Sequence, residues 1–390
     1  MANDNLGNAR RAKNDEFYTQ FADIQKEMNA YLDFNPDVFR GKTILLPCDD
    51  PEWSNFTKYF AQNFETLGLK KLISTSYAPN SKPLAIPHQP TLFEMDSPDF
   101  DEVKTQANGK IFTLTGDVTG DDAINVDDLQ WTYLEGDGDF RSDEIKALRD
   151  EADIIITNPP FSLFREFLAW LVEADKTFVI LGNMNAITYK EVFPLIKENL
   201  VWPGTKQFGG GMNMIMPTAT FDPVLAGSFT ISEDGAFIKN IMGVIWFTNI
   251  DHGRRHEPLA LMSEADNIKF SKHKEVQGIG YQSYDNYDAI EVPYTDAIPS
   301  DHEGVMGVPI SFLSKYNPDQ FEILGTSDNG LVDDEFKKTP GLVQEFVDAY
   351  YASGGQGAYQ AGNPTAGMYL NDVATMIYKR IFIRHRKAAK

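Results

Sequence analysis

The tetrapeptide Asn158-Pro159-Pro160-Phe161 brings together residue types suited to one task, holding a planar amino group ready for attack. The side-chain amide oxygen of Asn158 and the carbonyl of Pro159 can both accept from an exocyclic NH2, leaving its nitrogen lone pair aimed at an electrophile. Phe161 adds an aromatic face on which a base can stack. The plain alternative is a strand terminator, because two consecutive prolines lack the donors that a ladder needs.

The flanking residues say what must position this loop. Ile154-Ile155-Ile156 reads as a strand buried on both faces, as in a parallel sheet. After the loop, Ser162 is the expected N-cap of a helix that carries Phe164, Phe167, Leu168 and Leu171 down one face. A strand-loop-helix junction of this kind lies at the carboxyl edge of an open α/β sheet, where ligands bind. Upstream, Lys42–Leu46, a helix over 52–67 and Leu72–Tyr77 make a strand-helix-strand unit, implying a parallel, right-handed crossover. The turn after its first strand is Pro47-Cys48-Asp49-Asp50-Pro51, without the glycines of a usual nucleotide-binding unit.

Composition bounds the class. With 390 residues, 42% apolar and 24% charged, the chain is expected to hold a catalytic domain over 1–250 and a second region over 251–390. It has no apolar run of membrane-spanning length and a polar start, so neither span nor signal peptide is expected. The lone Cys48 fits a reducing cytoplasm. A net charge of −22 argues against a generic nucleic-acid coat, so a DNA partner requires basic residues gathered on one face. Arg254-Arg255-His256, Lys269, Lys272-His273-Lys274, Lys379-Arg380 and Arg384–Lys387, with Tyr281, Tyr284 and Tyr287 between them, are the candidates. A short arm, Arg10-Arg11-Ala12-Lys13, either touches phosphate or is simply solvated.

Asp117, Thr119, Asp121, Asn125 and Asp128 stand at positions of a twelve-residue calcium loop. Its sixth position is Asp122 rather than glycine, however, and a solvated acidic loop is the default. None of the six histidines has a second histidine or cysteine at ligand spacing, so no zinc site is expected. A glycine- and methionine-rich stretch over 203–222 reads as a mobile loop, and 229–250 as a hairpin turning at Asp234-Gly235 that closes the sheet.

Asn-Pro-Pro-Phe resembles the motif of amino methyltransferases that use S-adenosylmethionine. Together with Asn14–Gln20, Pro47–Pro51 followed by Ser54-Asn55-Phe56, Leu67–Lys70, Trp246–Asn249 and Gly304–Pro309, the chain resembles the EcoRI-type adenine-N6 DNA methyltransferases almost throughout. That family lacks the glycine-rich cofactor turn. The resemblance implies an α/β, doubly wound, Rossmann-like catalytic sheet with a C-terminal target-recognition region. It implies methylation of a flipped-out adenine in double-stranded DNA by Asn158, Pro159, Pro160 and Phe161, in a restriction-modification or orphan system. Phe17, Tyr18 and Thr19 would line the methionine end of the cofactor. Asp49 or Asp50 would meet its cationic groups, and Asp139 (with Asp137 as fallback) and Phe140 its adenine. A monomer is expected, with any cognate restriction endonuclease a functional rather than physical partner. The same loop would also serve an enzyme that methylates RNA bases or a protein glutamine.

Overall fold

A computed structural model describes residues 17–49, 54–78, 100–216, 229–232, 235–285, 287–327, 344–356, 360–361, 368–370 and 376–386. The chain is mixed α/β and divides into two compact units. One comprises Met1–Met184 with Pro203–His252 and the other Asn185–Trp202 with Gly253–Lys390. The sequence alone suggested a single boundary at 250, whereas here the chain passes between units at three places.

In chain order the first unit begins with β1 (Tyr18–Thr19), α1 (Phe21–Phe34), β2 (Thr43–Leu46), α2 (Asn55–Gln62), α3 (Phe64–Leu67) and β3 (Lys71–Ser76). Then come α4 (Glu102–Ala107), β4 (Lys110–Leu114), β5 (Gln130–Tyr133), α5 (Asp143–Glu151), β6 (Ile154–Thr157), α6 (Phe164–Glu173) and β7 (Thr177–Asn183). The short α7 (Phe193–Lys197) belongs to the second unit. β8 (Trp202–Pro203), β9 (Met212–Met216), β10 (Thr230–Ile231), β11 (Phe237–Ile241) and β12 (Val244–Thr248) follow.

The main sheet has the order β5-β4-β3-β2-β6-β7-β12-β8. β3, β2, β6 and β7 run parallel, while β4, β5 and β12 are antiparallel to their neighbours. Every residue of β2 and of β6 is buried, as the continuous apolar runs predict for strands covered on both faces. Ile44, Leu46, Ile154, Ile156, Val179, Leu181 and Trp246 join one cluster with Ile24, Met28 and Tyr31 of α1 and Phe56, Tyr59 and Phe60 of α2. The alternate residues Leu45, Ile155, Ile180 and Phe247 are equally buried on the other face, where the Phe164 ring of α6 lies 5.0 Å from that of Phe247.

β2 pairs with β3 on one side and β6 on the other, so the loops leaving β2 and β6 part at a point where strand order reverses. Such a crevice beyond the strand ends is where open α/β sheets bind ligands. The registers Ser76↔Lys110 and Lys110↔Tyr133 bring the residues after β5 to this same edge. Leu72↔Leu114 sends the acidic 115–129 loop to the opposite edge.

Two expectations are corrected. The methionine-rich stretch contains β9, a strand of alternating burial that pairs with β1 and β11 in a separate antiparallel sheet, β1-β9-β11-β10. The 229–250 segment is split: β10 and β11 form the hairpin of that small sheet, and β12 alone enters the main one. A tight turn at Met242-Gly243, with Gly243 at φ 76°, makes the separation possible.

The second unit is built on β13 (Ile290–Glu291), β14 (Met306–Pro309), β16 (Arg380–His385) and β15 (Phe321–Thr326), in that spatial order. No helix among the described residues is long and apolar enough to cross a membrane.

Candidate active site

Asn158 follows the last residue of β6 and faces the N-terminal strand. Its Nδ2 donates to the Phe17 carbonyl at 2.5 Å, which fixes the orientation of the amide. Its Oδ1 is buried and accepts no hydrogen bond, so the acceptor that the sequence assigned to a substrate amine lacks a protein partner. A buried carbonyl left in this state costs about 1–3 kcal/mol, which marks it as built for something other than stability.

Pro159 is buried and Pro160 half-buried. Phe161 begins a 3-10 turn, Phe161–Leu163, and α6 starts only at Phe164, so Ser162 sits within that turn instead of capping the helix. The Phe161 ring is half-buried, tilted 50° to the Phe17 ring with centroids 6.2 Å apart. Phe17 and Thr19 are buried and Tyr18 half-buried. They are held by the pairing Tyr18↔Ile215 and Thr19↔Met214 and by Asn55 Nδ2, which donates to the Thr19 carbonyl at 2.8 Å. Thr19 Oγ1 is a second buried polar atom without a partner.

Asp49 is oriented differently from expectation. Its side chain is buried rather than presented at the crevice. Oδ1 accepts from Ser54 Oγ at 2.8 Å and Oδ2 from Thr157 Oγ1 at 2.6 Å, while the Asp49 carbonyl accepts from Ser74 Oγ. Ser54 in turn caps α2, accepting from Phe56 N at 3.1 Å. Asp50 lies outside the described residues.

The loop after β5 packs against the end of β3. Ala78 N donates to the Asp137 carbonyl at 2.8 Å, and a Cβ at Gly138, where φ is 87°, would collide with the Ser76 carbonyl. The Asp139 carboxylate is gripped by Arg141, from Nε at 2.9 Å and Nη2 at 2.6 Å, which holds its pKa below the usual carboxylate range. Burial, with Asp137 and Asp139 nearby, pushes the Tyr77 phenol up to about 12. The Phe140 ring is buried edge-on to Phe167 and Trp170 of α6, with centroids 5.1 and 5.7 Å away, so it serves the core there. Thr157 and Tyr77 had no role assigned from sequence, and Ser54 and Asn55 stood only within a family-like stretch; for Thr157 the available signal was a hydroxyl residue ending an all-isoleucine strand.

At the opposite edge, the carboxylates of the acidic loop are taken up by backbone amides. Asp128 receives Val118 N, Thr119 N and Asn125 N, and these bonds, that from Thr119 foremost, pull it down to about 2. Asp117 receives Gly120 N and Asp122 N. No group of three or more His, Cys, Asp or Glu side chains converges as metal ligands among the described residues.

Several cations expected to face phosphate are committed inside the second unit. Arg380 forms a forked pair with Glu291, Nη2 to Oε1 at 2.6 Å, with side chains only 12% and 7% exposed. The Tyr284 hydroxyl donates to the same carboxylate. Arg255 is buried 3.6 Å over the Trp202 ring and donates to Asn199. Arg386 donates to the Pro318 carbonyl at 2.6 Å, and Tyr287 packs on Phe382. Lys269, Lys272 and Lys274 remain exposed, Lys272 paired with Asp296. The arm at 10–13 and Lys387 lie outside the described residues.

Comparison with known proteins identifies the family. The chain is 41% identical to the Type II methyltransferase M.EcoRI of Escherichia coli over 319 residues, covering 82% of this chain and 88% of that protein. It is 32% identical to the Type II methyltransferase M.MpnI of Mycoplasma pneumoniae, covering 81% and 83%. It is 34% identical to the Type II methyltransferase M.MgeORF184P of Mycoplasma genitalium, covering 81% and 84%. No solved structure matches it. Residues 5–386 match the family model described as adenine-specific methyltransferase EcoRI, and the chain belongs to that family.

Proposed function

We propose that this site-specific adenine DNA methyltransferase modifies N6 of an adenine turned out of double-stranded DNA, through the loop Asn158–Phe161, with S-adenosylmethionine as donor. The observation that carries the reading is the Asn158 amide, whose donor end is held by Phe17 and whose buried oxygen is left without a partner. An adenine amine is a poor nucleophile because its lone pair is delocalised into the ring. Accepting its N–H bonds at Asn158 Oδ1 and the Pro159 carbonyl returns electron density to nitrogen and fixes its direction. Because Nδ2 is tied to Phe17, the amide cannot turn its NH2 toward the substrate without losing that bond. Phe161 supplies the stacking face, worth about 1–3 kcal/mol per base. That offsets much of the few kcal/mol needed to unstack the nucleotide.

The residues at this edge suit S-adenosylmethionine, which carries no phosphate and asks for acceptors and hydroxyl partners rather than a glycine-rich turn. Thr19 Oγ1, buried and without a partner, would meet the methionine end beside Phe17 and Tyr18, and the 136–139 loop with Tyr77 would meet the adenine end. When bound, the cofactor supplies an already activated sulfonium methyl, so the protein's contribution is chiefly placement.

On this reading the first unit is a doubly wound, Rossmann-like domain. The 251–390 region reads the target, and the enzyme works as a cytoplasmic monomer alongside any cognate endonuclease. Asn158→Ala should abolish methyl transfer to DNA while S-adenosylmethionine binding, measured by calorimetry, persists. Near-normal turnover by this variant would remove the loop from catalysis.

A further inference from the structure

We propose that Asp49 is a positioning residue, a buried carboxylate that holds the catalytic loop in register through Thr157. The inference rests on the assignment of Asn158 as acceptor for the substrate amine. Three elements must be mutually placed for that amide to work: the end of β2, the start of α2 and the end of β6. One carboxylate joins them. Asp49 follows β2 by three residues, its Oδ1 takes the hydroxyl of the α2 cap Ser54, and its Oδ2 takes the hydroxyl of Thr157, the residue before Asn158.

The surroundings hold Asp49 in place. Its carbonyl accepts from Ser74 Oγ, which is itself 2.9 Å from Thr57 Oγ1, and Thr75 Oγ1 donates to the Pro47 carbonyl at 3.1 Å. Asp49, Ser54, Thr57, Ser74, Thr75 and Thr157 are all buried, so these bonds do not compete with water. The β2–β6 register runs through Ile44↔Ile154 and Leu45↔Ile155, with Asp153 bonded to Thr43 before it. Beyond Ile155 the ladder ends, and the Asp49–Thr157 bond takes over the role of tying the two strand ends together. On the other side of Asn158, the Phe17 carbonyl holds Nδ2, and Phe17 adjoins the strand that Asn55 of α2 restrains through the Thr19 carbonyl. The catalytic amide is thus held from its backbone side by Asp49 and Thr157 and from its side-chain side by Phe17.

A buried carboxylate with both oxygens engaged by hydroxyls is poorly placed to serve as a charge for a ligand, and that separates this role from a cofactor contact. Misplacement of a reacting group by about 1 Å can cost on the order of 100-fold in rate without touching binding. Thr157→Val, which keeps the shape and removes the hydroxyl, should therefore slow single-turnover methylation of duplex DNA at saturating S-adenosylmethionine by about 10–100-fold. Cofactor affinity by calorimetry should be unchanged, and Thr157→Ser should restore the rate. Asp49→Asn should lower the rate in the same way, and combining it with Thr157→Val should cost less than the two effects multiplied, because they act on one contact.

Should Asp49→Asn fail to fold, the Thr157 valine–serine comparison stands alone. A weakened cofactor affinity with an intact saturated rate in Asp49→Asn would overturn the proposal and make Asp49 a ligand group. A lowered melting temperature with an unchanged rate in Thr157→Val would also overturn it and leave the contact purely structural. Asn158→Ala runs beside them: if that variant turns over normally, the reading of the loop itself has failed. If it is inactive while the Thr157 and Asp49 variants are fast, only the positioning role has.

Discussion

Arg380 offers a direct contest between a sequence expectation and the structure. Its place in a basic tail suggests a phosphate contact, yet its guanidinium is forked onto Glu291 with both side chains nearly out of solvent. Tyr284 completes the arrangement by donating to Glu291, and burial with that neighbouring charge holds its phenol well above the ordinary range. Replacing Arg380 with Met leaves the Glu291 carboxylate buried with Tyr284 as its remaining partner. Breaking a buried pair from one side costs about 3–5 kcal/mol. For a unit of this size that corresponds to a fall of roughly 6–20 °C in its melting transition. A phosphate contact would behave otherwise: removing one lowers the log–log salt slope of DNA binding by about 0.9. The expected outcome for Arg380→Met is a large loss of stability by denaturant titration, with an unchanged salt slope at a temperature where the variant is folded. Replacing Glu291 with Leu in the same chain should recover much of the stability. An unaltered melting temperature together with a reduced salt slope would refute the assignment of Arg380 to the core.

Phe161→Ala should weaken productive DNA engagement by the stacking term, about 1–3 kcal/mol, seen as a raised KM for duplex DNA with cofactor affinity intact. Gly138→Ala should strain the 136–139 loop, since a Cβ there meets the Ser76 carbonyl at a left-handed φ; calorimetry should then show weaker S-adenosylmethionine binding. Asp128 has its folded pKa depressed to about 2, so the stability it contributes is full above its unfolded value near 3.8 and is lost as pH falls toward 2. Asp128→Asn should accordingly flatten the acid limb of the stability profile in that window, measured by denaturation against pH, and leave methylation at neutral pH unchanged.

The parallel strands and the loop between β6 and α6 were legible because continuous isoleucine and leucine runs, stopped by paired prolines, admit few other structures. The chemistry of the Asn158 amide suggested an acceptor, and its oxygen is buried without a partner. Its lock was not legible, because Phe17 contributes only a backbone carbonyl from 141 residues away, and no residue type advertises that. Asp49 or Asp50 was read as a ligand charge because an acidic loop stands where a glycine-rich turn would usually follow the first strand. What turns Asp49 inward are hydroxyls on α2 and β6, remote in sequence from each other. The tail arginines misled for the same reason: charge is visible in a sequence, while the buried Glu291 that neutralises it lies 89 residues upstream. β5 was missed because Gln130–Tyr133 is short and half-exposed, emerging directly from an acidic loop.

The missing glycine turn follows from the same contacts. In a dinucleotide-binding unit the first helix presents unsatisfied N–H groups to a phosphate, and glycines let the chain come close enough to use them. Here Ser54 already accepts from Phe56 N, so that donor of α2 is capped by the protein, and the cap's own hydroxyl is spent on Asp49. A helix start closed in this way has less to offer an anion. It does have a rigid connection to the β6 end, running from Ser54 through Asp49 to Thr157. A ligand without phosphate would lose nothing by the exchange, and the loop proposed to hold the substrate amine gains a fixed support. The absence of glycine between Leu46 and Ser54 is therefore coupled to the presence of Thr157: a chain that restored a glycine-rich turn here would have to find another anchor for Asn158.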